Sequence, residues 1–322
     1  MSRWIKSVAG GAALWVWLGM SAVQAQVPQV KTQVPGYYRM ALGDFEVTAL
    51  YDGEIKLDTK MLQSASPGEI RQRLAETFRE NPTATAVNGF LINTGSRLVL
   101  VDAGAAKLFG PTLGNLLANL KASGYDPAQV DTILITHLHG DHIGGVLTPE
   151  GQIAFPKATV YVGKADADFW LSPEQMAKAP EAARGFFKMA QDSVAPYLKE
   201  GRLKTFNTAA ELAPGIKPVN ENGHTPGHSG YLIESKGKKL LVWGDVVHNA
   251  AVQLPHPEVT IEFDTDPKRA RTARLGLFKW LAKDTVLVGA AHHAFPGLGH
   301  VRFDGQGHYS WVPVDFTPMP TP

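Results

Sequence analysis

Cysteine is absent from all 322 residues, so the chain has neither a disulfide framework nor a thiolate to serve as nucleophile or metal ligand. Excess charge is missing too: 31 Lys and Arg face 30 Asp and Glu, a formal net charge of +1. Such a balance leaves no footprint for nucleic acid, which needs many cations on one face. No G-x-S-x-G turn occurs, which removes the usual serine-hydrolase elbow. After the first 25 residues no long apolar run remains, and no repeat is visible at motif level.

What is present starts with Arg3 and Lys6, followed by the apolar run Val8 to Met20 and then Val23-Gln24-Ala25. The run suits a signal-peptide core and is short for a bilayer span, so cleavage after Ala25 is expected, with a short membrane anchor as the alternative. Without Arg3 and Lys6 the balance moves from +1 to −1. A periplasmic or secreted product with no stable membrane insertion follows. A hydrophobic content of 44% over roughly 300 residues is enough for a large core without covalent staples.

Residues 26–40 read as an exposed lead-in and residues 313–322 as a loose Pro-rich tail, leaving 41–312 for one catalytic domain. Strands are expected at Phe45–Tyr51, Thr85–Asn93, Arg97–Val101, Thr132–Thr136, Thr159–Val162, Leu203–Phe206, Ile216–Val219, Tyr231–Glu234, Leu240–Trp243 and Val286–Val288. Helices are expected at Leu113–Ser123, Ala165–Leu171, Glu174–Lys199 with a break near Pro180, and Pro267–Ala282. Alternation of this kind predicts an α/β layered fold.

The chemistry concentrates in Thr-His-Leu-His-Gly-Asp-His-Ile-Gly-Gly, residues 136–145. In an extended entry His137 and His139 point the same way and can grip one metal. Gly140 permits a turn, after which Asp141 and His142 can face a second. Imidazole with carboxylate suits zinc, and Fe, Mn, Co or Ni as well. Further donors sit at loop or strand ends: His224 and His228 in Gly-His-Thr-Pro-Gly-His-Ser, Asp245 after Leu240–Trp243, and His292 with His293 after the last expected strand.

In order and spacing these segments resemble the metallo-β-lactamase superfamily. The resemblance implies a four-layer αβ/βα sandwich holding two divalent ions. His137, His139 and His224 would hold one, Asp141, His142 and His292 the other, with Asp245 shared. Asp102 would orient a ligand histidine from behind, and His292 is preferred to His293. A hydroxide bridging the metals would then attack a carbonyl or phosphorus centre. A shared carboxylate at Asp245 turns the reading from β-lactams toward lactonases, arylesterases and phosphotriesterases, although a glyoxalase II-like thioesterase and a β-lactamase remain alternatives. A non-enzymatic metal-binding protein is the reading from another class. Segments such as Leu108–Gly114, Ala167–Ser172 and Gly185-Phe186-Phe187 resemble methyl parathion hydrolase-like enzymes, implying a small-molecule pocket walled by Phe109, Trp170 and Phe186, and a homodimer.

Overall fold

The computed structural model describes residues 1, 27–207 and 209–319, so the expected signal segment lies, Met1 apart, outside the described residues. The chain divides into Met1–Val34 and Pro35–Pro322, and every element below belongs to the second unit.

One sheet runs in the order β1 (Tyr37–Leu42), β2 (Phe45–Leu57), β4 (Thr83–Asn93), β5 (Leu98–Val101), β6 (Thr132–Leu134), β7 (Thr159–Gly163) and β8 (Leu203–Phe206). The other runs β15 (His308–Pro313), β14 (Leu298–Gly305), β13 (Leu287–Gly289), β11 (Lys238–Val242), β10 (Ser229–Ser235) and β9 (Ile216–Asn220). A short pair, β3 (Leu62–Gln63) with β12 (Thr260–Ile261), stands apart. Helices α1 (Pro67–Glu76), α2 (Leu116–Ala122), α3 (Gly140–Ile143), α4 (Lys164–Trp170), α5 (Pro173–Lys178), α6 (Glu181–Lys199), α7 (Ala250–Gln253) and α8 (Pro267–Asp284) complete the set.

The layers follow from period-two patterning, which sends alternate side chains to opposite faces. Phe90, Ile92, Val99 and Val101 of the first sheet pack with Tyr231, Ile233, Leu240 and Val242 of the second. Their neighbours Leu91 and Leu100 turn outward to Leu116 and Leu120 of α2 and to Phe187 and Val194 of α6. Leu232, Leu241 and Val288 meet Leu277, Phe278 and Leu281 of α8. The result is the expected αβ/βα sandwich, with apolar side chains on both inner faces.

Boundaries differ in instructive places. β1 begins at Tyr37, inside the stretch expected to be an exposed lead-in. The tail is tied at its start: Val314 N–H donates to Leu298 O at 3.1 Å, and the Tyr38 hydroxyl donates to Asp315 O at 2.9 Å. The sheet also continues beyond the expected last strand, through the β14–β15 hairpin. Helix α1 went unanticipated although Ser66 and Glu69 form a reciprocal capping box. Among the described residues no helix is long and apolar enough to cross a membrane.

Candidate metal centre

Strands β5, β6, β11 and β13 end at one edge of the sandwich, and the loops that follow them carry most of the predicted donors. After β6 the chain bends at Thr136, runs on to an extended His139 and enters the single turn α3, which swings Asp141 and His142 onto the same centre. Gly140 does not take a left-handed turn there. Its neighbours come close instead, and a Cβ would lie 3.0 Å from Met189 Sδ and from Phe109 Cε2, which would have to give way. Gly244 is different: its φ of +52° is left-handed, and its Cβ would come 2.6 Å from His228 Nε2.

Two donor sets result. His137 Nε2 lies 3.0 Å from His139 Nδ1, and His224 Nε2 lies 3.1 Å from the same atom. Asp245 Oδ2 joins them at 3.5 Å from His137 Nε2 and 3.3 Å from His224 Nε2. On the other side, Asp245 Oδ1 lies 3.0 Å from His142 Nε2 and 3.1 Å from His292 Nε2. Asp141 Oδ2 stands 3.6 Å from each of those two nitrogens. The donor atoms within each set fall within 4.8 Å of one another, so one carboxylate presents a separate oxygen to each.

Outer nitrogens fix the rings. His142 Nδ1–H donates to Asp102 Oδ2 at 2.8 Å, and the Thr136 hydroxyl donates to the same oxygen at 2.9 Å. With its proton so committed, Thr136 Oγ1 accepts from His137 Nδ1–H at 3.1 Å. Asp102, held at a left-handed φ of +58°, thus anchors two rings, one directly and one through Thr136. His224 Nδ1–H donates to Asp264 at 2.8 Å, and His292 Nδ1–H to Ala86 O at 2.9 Å. A ring that donates through Nδ1 keeps the Nε2 lone pair for an electrophile.

Electrostatics give the same reading. Burial works against charge on every ring, yet Asp245, Asp141 and Asp102 hold His142 well above the ordinary imidazole range. Asp245 and Asp264 likewise push His224 up to about 9 against burial. His137 and His139 fall well below that range, chiefly through burial and then through neighbouring imidazoles. The carboxylates therefore demand positive charge at the centre. His142 Nε2 and Asp245 Oδ1 make no hydrogen bond although they are 3.0 Å apart. Unpaired buried donors of this type suit divalent cations of zinc-like chemistry.

The remaining predicted residues separate. Phe109 and Phe186 line a cavity of about 340 Å³ that opens on Asp141, Asp245 and His292. Trp170 does not reach it; the indole is buried, with its ring 5.0 Å from that of His139, and lines an adjacent chamber. His293 turns away from the centre and packs on Trp311 and Trp243, 4.4 and 5.6 Å between ring centroids. His228 lies behind it, accepting from Asp245 N–H at 3.0 Å.

Sequence reasoning missed two residues. His248, three positions after Asp245, places Nε2 3.0 Å from Asp245 Oδ2 and stacks on His292. It forms a further group with Asp245 and His292 able to hold a cation. The signal was the spacing in Gly-Asp-Val-Val-His. Asp264 had no signal, since its partner His224 is 40 residues away.

Comparison with known proteins places the fold in a family. A profile described as the Metallo-beta-lactamase superfamily matches residues 82–292. A crystal structure of the hydrolase AbOPH, described as in the beta lactamase superfamily, superposes with a TM-score of 0.85 at 40% identity, covering 89% of this chain and all of that one. AidC, described as a dizinc quorum-quenching lactonase, gives 0.81 at 26% identity over 88% of this chain and 99% of its own. The N-acyl homoserine lactonase AttM of Agrobacterium fabrum is 29% identical over 148 residues, 43% of this chain and 48% of its own, so that match spans about half of its length. On the extent of the profile match and the AbOPH superposition, the chain belongs to the metallo-β-lactamase superfamily.

Proposed function

We propose that this protein is an exported, metal-dependent hydrolase of lactones and aryl esters, with phosphotriesters as further substrates of the same pocket. The observation that carries the proposal is Asp245, whose two oxygens face two different three-donor sets. His137, His139 and His224 would hold one ion and Asp141, His142 and His292 the other. Two bound divalent ions, zinc foremost as in the dizinc lactonase neighbour, would activate water and polarise the electrophile at neutral pH.

The chain's own residues supply the rest. Asp102, Thr136, Asp264 and the Ala86 carbonyl hold the rings in the tautomer that donates lone pairs inward. Phe109, Phe186 and Phe263 exclude water beside the centre and offer apolar walls, which suits an aryl or acyl group better than a sugar or a nucleotide. His248 Nε2, within reach of Asp245, is placed to hold a proton beside the reacting carbonyl. A carboxylate shared at Asp245 would turn the preference from β-lactams toward esters, as the resemblance implies.

The test is a panel of lactones, aryl esters and phosphotriesters ranked by kcat/KM with defined metals. Turnover that disappears in chelator and returns with zinc is expected; full turnover by metal-stripped protein would refute the proposal. Replacing Trp170 with Ala is expected to raise KM for aryl substrates more than for small aliphatic lactones, because the indole backs His139 and the aromatic wall. Equal changes on both would count against that role.

A further inference from the structure

Among the described residues a single lysine or arginine is buried: Arg274 on α8, 1% exposed. It lies on the inner face of the helix with Ala270, Leu277, Phe278 and Leu281, where an aliphatic side chain would be the ordinary choice. Its guanidinium meets three main-chain carbonyls and, among the described residues, no carboxylate. Nε–H donates to Val246 O at 2.6 Å. Nη1–H donates to Pro257 O at 3.1 Å and to Val259 O at 2.5 Å. Burial lowers the group to about 10, so it is still a cation at neutral pH. A charge taken out of water is costly unless its hydrogen bonds are made, and bonds from a charged donor are stronger than neutral ones.

The three carbonyls come from two segments, and both segments serve the metal centre. Val246 follows Asp245, the carboxylate between the donor sets, and stands two residues before His248. Pro257 and Val259 lead through β12 to Phe263, in the wall of the metal pocket. The same segment ends at Asp264, which accepts from His224 Nδ1–H at 2.8 Å. Neither Val246 O nor Pro257 O takes another hydrogen bond among the described residues. Gln253 of α7, also buried, closes the same junction. Its Nε2–H donates to Val259 O at 3.1 Å, and its Oε1 accepts from His248 N–H at 2.8 Å. The planar guanidinium fixes directions that a lysine ammonium leaves free.

We propose that Arg274 is a positioning residue for the metal centre, clamping the segment of Asp245 against the segment of Asp264. Asp245 Oδ2 and His224 Nε2 stand 3.3 Å apart. From behind, Arg274 sets that gap, through the Val246 carbonyl on one side and the stretch from Val259 to Asp264 on the other. The proposal rests on the two-ion reading above and adds a residue that touches neither ion nor substrate.

The experiment loads the protein with Co²⁺ and reads its visible absorption, together with the affinity of each ion by chelator competition. Arg274→Met keeps the bulk and loses the fork, whereas Arg274→Lys keeps the charge and only part of the bonding. Arg274→Met should weaken the ion of His137, His139 and His224 by about 10–100-fold and shift its absorption band. Arg274→Lys should fall between that variant and the unmodified protein. Leu281→Ala is the control, on the same face of α8 and packed against the second sheet. It should lower the melting temperature and leave band and affinity in place. Should Arg274→Met not fold, Arg274→Lys carries the comparison. An unchanged band and affinity in the Arg274 variants overturns the proposal and leaves the two-ion reading intact, as does an equal shift in Leu281→Ala. Failure of both Arg274 variants to fold makes the residue part of the fold alone and overturns it too. Fewer than two Co²⁺ per unmodified chain overturns both readings together.

Discussion

In the set formed by His137, His139 and His224, the outer nitrogens of two rings lean on side chains: the adjacent Thr136, itself held by Asp102, for His137, and Asp264 for His224. In the set formed by Asp141, His142 and His292, one ring leans on Asp102 directly and another on a main-chain carbonyl, Ala86. The Asp141 side chain is 13% exposed and opens on the pocket, whereas the Asp245 side chain is 3% exposed. One set is thus a closed cage whose outer nitrogens lean on side chains, and the other opens on the pocket and leans in part on a main-chain carbonyl. Cage and opening are joined at Asp102 and Asp245, so substitutions there should not discriminate between the sets, whereas Asp264 should.

The largest effect is expected at Asp245. Asp245→Asn removes charge from both sets at once, and the loss in kcat/KM should exceed the ~10–100-fold typical of residues behind a ligand. Metal content by elemental analysis should fall below two per chain; two retained ions would show that the sets do not share this carboxylate. Next come the outer partners. Asp102→Gly keeps the left-handed turn and deletes the carboxylate, and should weaken both ions by about 10–100-fold in a chelator competition. Asp264→Ala should weaken a single ion by a similar factor. If both variants release one ion, or both release two, the contrast between cage and opening is wrong.

Asp166 offers a finer cut. Fully buried, it accepts from Leu138 N–H and Gly227 N–H, each at 2.8 Å, pinning the loop of His137 and His139 to the loop of His224. Asp166→Ala should loosen the closed set by up to about tenfold, while the ion of the open set dissociates as before. Equal loosening of both would reduce Asp166 to a general structural part.

The smallest effect concerns stability alone. Glu221, behind His228, has a fully buried carboxyl without a hydrogen-bond partner, and burial raises it well above its ordinary value of 4.5. A raised carboxyl is neutral in the folded chain, so its contribution is intact below about pH 4.5 and is lost as pH climbs through the folded value. Glu221→Gln, neutral throughout, should gain on the unmodified protein in urea unfolding as pH rises from 4.5. Parallel stability curves would mean that the carboxyl is not held neutral.

How far these features were legible depended on how local their causes are. His137, His139, Asp141 and His142 lie within six residues, so one short loop and a single helical turn are enough to aim them. Asp245 and His292 were readable because each follows a strand of β-branched and apolar residues. His248 and Asp264 were not, because their meaning comes from partners brought together only when β11, β12 and β13 are packed. The β14–β15 hairpin escaped for a chemical reason. Leu-Gly-His-Val-Arg-Phe-Asp-Gly mixes glycine and charge, and its strand character rests on pairing with β13 and β15. Trp170 was expected in the wall of the metal pocket, but sequence could not say that it would sit behind His139 and line an adjacent chamber instead.

The donors run from residue 137 to residue 292, through loops of both sheets, and an unfolded chain cannot assemble them. Ions held there bind only the folded form and work as a clasp across the sandwich edge. At a free concentration one hundred times its dissociation constant, a single such ion contributes about 2.7 kcal/mol to folding, a sizeable part of the ~5–15 kcal/mol that keeps a typical domain intact. Supply of metal would then govern how long the protein survives heat and proteolysis, as well as how fast it turns over.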